Sequence, residues 1–362
     1  MFCIPFAQLT DTEITALAAN KLDMNPDVWE RNIWSFIVDW FNPSINAIHI
    51  LTSGSTGTPK QVTHSKQAMR NSAVMTLDYL NIKKGDNALL CLPANKIGGR
   101  MMLVRSLVRK LNLYCVKPTA NPLADIPTGA KINLAAFTPT QLNPLSKDYG
   151  LFRKADAIDK ILLGGENTPA ELLQWTQRLT NEVYATFGMT ETISHIALKR
   201  LNGSHPDEHF RVLPDIKIST TDDSRLVIEA PGLEQPKLTT NDVVRIMEPG
   251  VFDWLGRTDN VINSGGVKIH PEELEQKLQA HIQPAFFIAA MPDAITGERV
   301  VLALEMEELS ANDKQELLEV IGSFDKISRP KNLLLFRSFQ RTENGKIRRR
   351  ETLQNAHEDI PL

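Results

Sequence analysis

Between Ala47 and about Lys199, short apolar runs alternate with amphipathic stretches. AIHILT, NALLCLP, LNLYCV, KINLAAF, DKILLGG and NEVYATF read as strands. Between several of them lie segments with helical spacing, SKQAMRNSAVMTLDYL and GGRMMLVRSLVRKL, the second with Leu103, Leu107 and Leu111 recurring at fourth positions. Thr168-Pro169-Ala170-Glu171 ahead of LLQW has the form of a capping-box helix start with proline in its first turn. Strands alternating with helices predict a largely parallel sheet covered on its faces.

The pattern then changes. DIKIST and RLVIEA flank a Thr-Asp-Asp-Ser turn, and VVRIME and VFDWLG flank Pro249-Gly250, which predicts two hairpins in a β-rich subdomain. After Arg257 comes a shorter α+β series: VIN, the turn Ser264-Gly265-Gly266, VKI, a helix opening at Pro271, the strands AFFIAA and VVLALEM, a helix from near Ser310, the strand NLLLF and a basic tail. The expected fold is therefore α/β, with a large N-terminal domain (residues 1–258) of covered, mostly parallel sheets and a β-rich subdomain. A small C-terminal α+β domain (residues 259–362) follows, with the boundary near Asp259. A chain of 362 residues has apolar material for two cores.

Composition narrows the function. With 42% hydrophobic and 23% charged residues the chain is ordinary globular protein. Its 40 basic and 43 acidic side chains leave a net charge of -3, so no general attraction to nucleic acid or membrane is implied and any anion site must be local. Cys3, Cys91 and Cys115 are far apart and lack ligand-like spacing, which argues against a disulfide framework or a zinc site. The amino terminus has no basic n-region or small-residue cleavage site, and no later apolar run approaches ~18 residues. The expectation is a soluble, cytoplasmic protein; a homodimer is left open.

The candidate for a local anion site is LTSGSTGTPK, Leu51 to Lys60, directly after an apolar run. Glycines permit close backbone approach and positive φ, freeing N–H groups to point outward. Ser53, Ser55 and Thr56 add hydroxyl donors and Lys60 a positive charge, a set suited to polyphosphate. It is not a Walker loop, because Gly54 and Gly57 are too close and Lys60 follows proline. A strand-to-helix turn with incidental hydroxyls is the plainer alternative.

Thr52-Ser53-Gly54-Ser55-Thr56-Gly57-Thr58-Pro59-Lys60 resembles the phosphate loop of the adenylate-forming superfamily, which includes AMP-forming acyl-CoA synthetases, aryl-acid adenylation domains and luciferases. Further resemblances follow in order. Phe187-Gly188-Met189-Thr190-Glu191-Thr192 is similar to the second ATP motif. Asp242 and Gly256-Arg257-Thr258-Asp259 resemble the ribose and hinge motifs, with Asn241 where relatives usually have glycine. Ser264-Gly265-Gly266, Ile269, Pro271, Glu273 and Glu275 match the next signature, and Arg341-Thr342-Glu343-Asn344-Gly345-Lys346-Ile347-Arg348 resembles the terminal lysine motif.

The resemblance implies a chemistry. A carboxylate is a poor acyl donor, because its leaving group would be oxide; attack on the α-phosphorus of ATP replaces that with AMP. Carboxylate and triphosphate repel, so the site must supply cations. By resemblance Lys346 bridges carboxylate and α-phosphate, Thr190 donates to that phosphate, and Glu191 holds Mg2+, which favours one or two carboxylates plus phosphate oxygens. Gly164, Gly165 and Glu166 match the adenine-pocket region, while Asp242 and Arg257 match residues that hold the ribose. Rotation about Asp259 would withdraw Lys346 and present Gly265 and Gly266 to the pantetheine arm of coenzyme A, a second co-substrate. Each has a plainer reading too: a cap in a turn, glycines ending a strand, hairpin charges, a β-turn, a solvated basic tail.

For the acid, Leu92-Pro93-Ala94-Asn95-Lys96-Ile97-Gly98-Gly99-Arg100-Met101-Met102-Leu103-Val104-Arg105 stands where many relatives read Leu-Pro-Leu-Phe-His-x-Ser-Gly. This variant, in a chain with its phosphate loop only about 50 residues from the start, resembles the compact o-succinylbenzoate-CoA ligases of menaquinone biosynthesis. Lys96 or Arg100 would suit an acid with a second carboxylate, and Ser194 and His195 could line the same pocket. The alternatives are an aryl-acid or short-chain acyl-CoA ligase, a carrier-loading adenylation enzyme, or, in a different class, a nucleotide sensor without catalysis.

Overall fold

The computed structural model describes residues 1–52, 60–144, 148–165, 168–279, 281–282, 284–341, 347–355 and 357–362. It falls into two units. The first comprises Met1–Ser219, Val227–Leu238 and Ile246–Phe252, and the second Thr220–Leu226, Thr239–Arg245 and Asp253–Leu362.

The first unit runs β1 (Phe2–Pro5), α1 (Asp11–Asp23), α2 (Val28–Phe41), β2 (Ala47–Thr52), β3 (Lys60–Ser65), α3 (Lys66–Tyr79), β4 (Asn87–Leu90), α4 (Ile97–Arg109), β5 (Asn112–Cys115), β6 (Ile132–Phe137), α5 (Pro139–Leu142), α6 (Tyr149–Asp156), β7 (Ile158–Leu163), α7 (Ala170–Thr176), β8 (Glu182–Gly188), β9 (His195–Arg200) and β10 (Phe210–Val212). Its main sheet has the order β1-β5-β4-β6-β7-β8-β9-β10. The five strands β5-β4-β6-β7-β8 are parallel, as the apolar runs predict. Antiparallel β1 and β9 flank them. Leu89, Phe137, Ile161, Leu163, Val183 and Trp175 are buried in one cluster on this sheet. Burial of side chains this large stabilises by roughly 1.5–3 kcal/mol each.

Three local expectations change. AIHILT is a strand, but it leaves the parallel sheet and pairs antiparallel with β3, from Ala47↔Ser65 to Thr52↔Lys60. The Gly/Ser/Thr segment therefore joins two strands of a hairpin and does not lead from strand to helix. The strand KQVTHS carries only one large aliphatic residue, so periodicity did not reveal it. Helix α7 starts at Ala170 with Pro169 at the cap and no side-chain cap bond, so the expected capping box is not formed. Side chains do cap elsewhere: Ser65 accepts from the Ala68 N–H at α3, and Thr10 and Glu13 form a reciprocal box at α1.

Next come β11 (Lys217–Thr220), β12 (Arg225–Glu229), β13 (Lys237–Glu248) and β14 (Val251–Arg257), the two expected hairpins, whose residues are divided between the units. The second unit continues with β15 (Ile262–Ser264), β16 (Val267–Ile269), α8 (Pro271–Leu278), β17 (Phe286–Asp293), β18 (Gly297–Glu305), α9 (Ala311–Gly322), β19 (Asn332–Phe336), α10 (Arg349–Leu353) and β20 (Glu358–Pro361). Its sheet has the order β16-β15-β18-β19-β20, with β17 also on β18. Alternation along β18 serves two cores: Val300, Leu302 and Leu304 face one with Leu274, Leu278 and Leu317, and Val301 and Ala303 face another with Phe287, Phe336 and Phe339.

Candidate functional site

The Thr190-Glu191 pair sits in the tight turn between β8 and β9. At its mouth an added Cβ on Gly188 would lie 2.4 Å from the Ser194 carbonyl oxygen and 2.5 Å from the His195 Cα, so only glycine lets the two limbs close. The turn is held from within. Thr192 is buried, its hydroxyl accepts from the Met189 N–H at 3.0 Å, and it reaches the Ser194 carbonyl at 2.8 Å. Ile193 sits at φ +68°, a strained conformation for a β-branched side chain. From β3, His64 places Nε2 2.7 Å from the Thr190 carbonyl, which can only accept, so this nitrogen carries the proton. Burial lowers the His64 pKa, which keeps the ring neutral. The result is a fixed turn with Glu191 exposed and Thr190 half-buried. Phe187 supports it, edge-on to Phe252 at 5.1 Å.

Gly164 and Gly165 end β7 as expected. Gly164 lies against Thr186 of β8, whose hydroxyl would be 2.2 Å from a Cβ, and Gly165 has φ +90°. Glu166 lies outside the described residues, as do Ser53, Gly54, Ser55, Thr56 and Gly57; Thr52 and Lys60, which bound that loop, face each other across the hairpin.

Helix α4 gives the site its main surprise. Residues 101–107 are buried on every face, including Arg105, which is 2% exposed. Its Nη2 donates to Ser194 Oγ at 2.7 Å and reaches Thr76 Oγ1 at 3.4 Å, while its Nε has no partner. Among the described residues no carboxylate pairs with it, and burial pulls its pKa down to about 10. His195 is buried beside it, with Nε2 3.0 Å from Thr76 Oγ1; burial, then the Arg105 charge, hold its pKa well below the usual range. Ser194 and His195 are thus brought together with a cation, but that cation is Arg105 and not Lys96 or Arg100. Lys96 is exposed at the start of α4. Arg100 spends its donors on backbone carbonyls, His49 at 2.6 Å and Ala94 at 3.3 Å. The signal for Arg105 was present in MMLVRSLV: an arginine between Met101-Met102-Leu103-Val104 and Leu107-Val108 on one helix is set among apolar positions of the preceding and following turns.

In the second unit, buried Asp242 accepts from Trp254 Nε1 at 2.9 Å. Arg257 and Asp259 form an ion pair at 2.9 Å in the turn after β14. Gly256 at φ +147° leaves no room for a Cβ, which would meet Glu272 Oε2 at 2.2 Å. Gly265 and Gly266, at φ +56° and +81°, make the two-residue turn between Ser264 and Val267, where positive φ is needed twice. Lys346 lies outside the described residues. The segment that carries it is bounded by an antiparallel bridge between Arg341 and Ile347, and Arg341 is clamped by both carboxylate oxygens of Glu305 at 2.5 Å.

No group of three or more His, Cys, Asp or Glu side chains is placed to hold a metal among the described residues. One exposed carboxylate, Glu191, fits Mg2+ only when phosphate oxygens complete the shell. No helix among the described residues is long and apolar enough to cross a membrane.

The model of the AMP-binding enzyme family matches residues 8–232. The 2-succinylbenzoate–CoA ligase of Lactococcus lactis is 27% identical over 327 residues, 84% of this chain and 70% of that protein. Its namesake in Escherichia coli is 26% identical, over 76% of this chain and 62% of that protein. The chain spans about half to three quarters of the length of such curated relatives. Among solved structures, an acyl-CoA synthetase (AMP-forming)/AMP-acid ligase II-like protein from Dyadobacter fermentans is 34% identical, with a TM-score of 0.62, over 91% of this chain and 94% of that one. The o-succinylbenzoate CoA synthetase of Bacillus subtilis, in complex with its acyl-adenylate intermediate, shares the fold at 22% identity and a TM-score of 0.71, over 87% and 70%. The chain belongs to the AMP-binding enzyme family.

Proposed function

We propose that this protein is an ATP-dependent acid-CoA ligase whose acid carries a second carboxylate, with o-succinylbenzoate the best candidate. The observation that carries the reading is Arg105, a buried guanidinium whose described partners are two hydroxyls and the Met102 thioether, with no carboxylate among them. A buried cation without a counterion is costly. A bound carboxylate would relieve it, with Ser194 Oγ as a second donor beside the guanidinium. The names of the relatives support this choice of acid.

In the first half-reaction one carboxylate oxygen attacks the α-phosphorus, the α,β-phosphoanhydride bond breaks, and pyrophosphate leaves. Lys346 would neutralise charge between the acid and the α-phosphate, and Thr190, aimed by the turn that His64 and Thr192 hold, would donate to that phosphate. Mg2+, when bound, neutralises charge on the phosphates, and Glu191 is the residue that would hold it. Backbone around Ser53–Gly57 with Lys60 would cradle the phosphates. Gly164, Gly165, Glu166, Phe187, Gly188 and Met189 would line the nucleotide, with Asp242 and Arg257 on the ribose. In the second half-reaction, after rotation about Asp259, the thiol of coenzyme A attacks the acyl carbon near Gly265 and Gly266, the bond to AMP breaks, and the thiol proton goes to solvent.

The test is ATP–pyrophosphate exchange over a panel of mono- and dicarboxylic acids, followed by thioester assay with coenzyme A. Exchange is expected with o-succinylbenzoate; exchange with monocarboxylic acids alone would refute the choice of acid. Lys346→Ala is expected to lower exchange by about 100-fold or more, the scale of a lost transition-state contact, while a supplied acyl-adenylate is still converted to thioester. Equal loss of both steps would remove Lys346 from its assigned role.

A further inference from the structure

Thr76 of α3 sits behind the Arg105–Ser194 pair, fully buried, and no motif points to it. It closes a ring of four side chains. Arg105 Nη2 donates to Ser194 Oγ at 2.7 Å and to Thr76 Oγ1 at 3.4 Å. Thr76 Oγ1 lies 3.0 Å from His195 Nε2, and His195 Nδ1 lies 3.4 Å from Ser194 Oγ. The Thr76 hydroxyl has one other acceptor in reach, the Ser72 carbonyl at 3.2 Å.

Counting protons leaves two arrangements of a neutral His195. In one, Thr76 donates to Ser72, the His195 Nε2–H donates to Thr76, and Ser194 donates to the bare Nδ1. The Ser194 proton is then turned inward, and Arg105 faces any anion alone. In the other, Thr76 donates to Nε2, the Nδ1–H donates to Ser194, and the Ser194 hydroxyl proton points out of the ring. Both hold the same three protons, so passing between them neither gains nor loses one. Only the second sets two donors, Ser194 and Arg105, on a carboxylate.

We propose that Thr76, through the tautomer of His195, turns the Ser194 hydroxyl outward and is a positioning residue for the second carboxylate of the acid. The inference rests on the reading of Arg105 and Ser194 as the seat of that carboxylate. Without the Thr76 hydroxyl no donor meets Nε2, and the arrangement that turns Ser194 outward loses the bond that supports it. The same hydroxyl also steadies the guanidinium.

Thr76→Val keeps the side-chain shape and removes the hydroxyl. It is expected to raise KM for o-succinylbenzoate in pyrophosphate exchange about tenfold, the factor for one charge-assisted hydrogen bond, and to leave kcat and KM for ATP within about twofold. Thr76→Ser restores the wild-type values. A packing defect would instead lower kcat, disturb ATP binding and resist rescue by serine. The direct readout is 15N NMR of labelled histidine in the full chain with o-succinylbenzoate and a nonhydrolysable ATP analogue. His195 should become protonated at Nδ1 in the wild type, and not in Thr76→Val. Wild-type His195 protonated at Nε2 with the acid bound, or an unchanged KM in Thr76→Val, overturns the inference. Absence of wild-type exchange with every dicarboxylic acid overturns the underlying reading, and the inference with it.

Discussion

Two buried charge clusters, one in each unit, solve the same problem differently. In the second unit Arg349 reaches Glu275 Oε2 at 2.9 Å and lies 3.9 Å from Glu272. The Ile288 N–H donates to Glu275 at 2.7 Å and Asn260 Nδ2 to Glu272 at 2.6 Å. Burial pushes the Glu275 pKa up and Arg349 opposes it. In the first unit Arg105 has two hydroxyls and a histidine held neutral, with no carboxylate among the described residues. Where the chain supplies the countercharge, the cluster ties helix α8 to α10 and strand β17. Where the described residues supply none, the proposed countercharge is the second carboxylate of the acid. On that proposal the difference separates a structural pair from a binding site.

Neutralising substitutions should break the two clusters in opposite ways. Arg349→Met leaves buried Glu272 and mostly buried Glu275 without their cation and should destabilise the protein by about 3–5 kcal/mol, read from denaturant unfolding of the full chain. Arg105→Met replaces a buried charge that has no carboxylate partner among the described residues with a neutral side chain of similar volume. Its unfolding free energy should be unchanged or higher by up to ~2 kcal/mol; a loss as large as that of Arg349→Met would show Arg105 to be structural after all.

A smaller effect follows from the histidines. His195 and His64 have folded pKa values below the ordinary one, chiefly through burial. The unfolded chain therefore takes up their protons first, and stability falls as pH drops below about 6.5, by at most ~1.4 kcal/mol per pH unit for each group. His195→Gln should flatten that slope in thermal unfolding between pH 7 and 5; an unaltered slope would place the titration elsewhere.

What the sequence allowed to be read follows from where each signal comes from. Strands β4 to β8 stand out because a parallel sheet covered on both faces needs continuous apolar runs such as Ile161-Leu162-Leu163. Strand β3 has no such need and reads as polar. The hairpin turn at Gly265-Gly266 is legible because only glycine takes positive φ twice without strain. Arg349 lies in IRRR, which on charge alone is a solvated tail; its partner Glu275 is 74 positions away, a pairing that only the fold creates. Arg100 and Lys96 drew attention by proximity to a motif, whereas Arg105, one turn beyond Met101, is the cation that helix α4 carries inward. Thr76 could not be found at all from sequence, because its role depends on three partners from α4, the β8–β9 turn and β9.

The central claim is that Arg105 waits for a carboxylate on the substrate. The most direct test is the ratio of kcat/KM for o-succinylbenzoate over benzoate in ATP–pyrophosphate exchange, compared between the wild type and Arg105→Met. The account predicts that the substitution lowers this ratio by about 30-fold or more, as expected for a lost buried carboxylate–guanidinium contact, through o-succinylbenzoate alone. An unchanged ratio, or an equal fall for both acids, would contradict it.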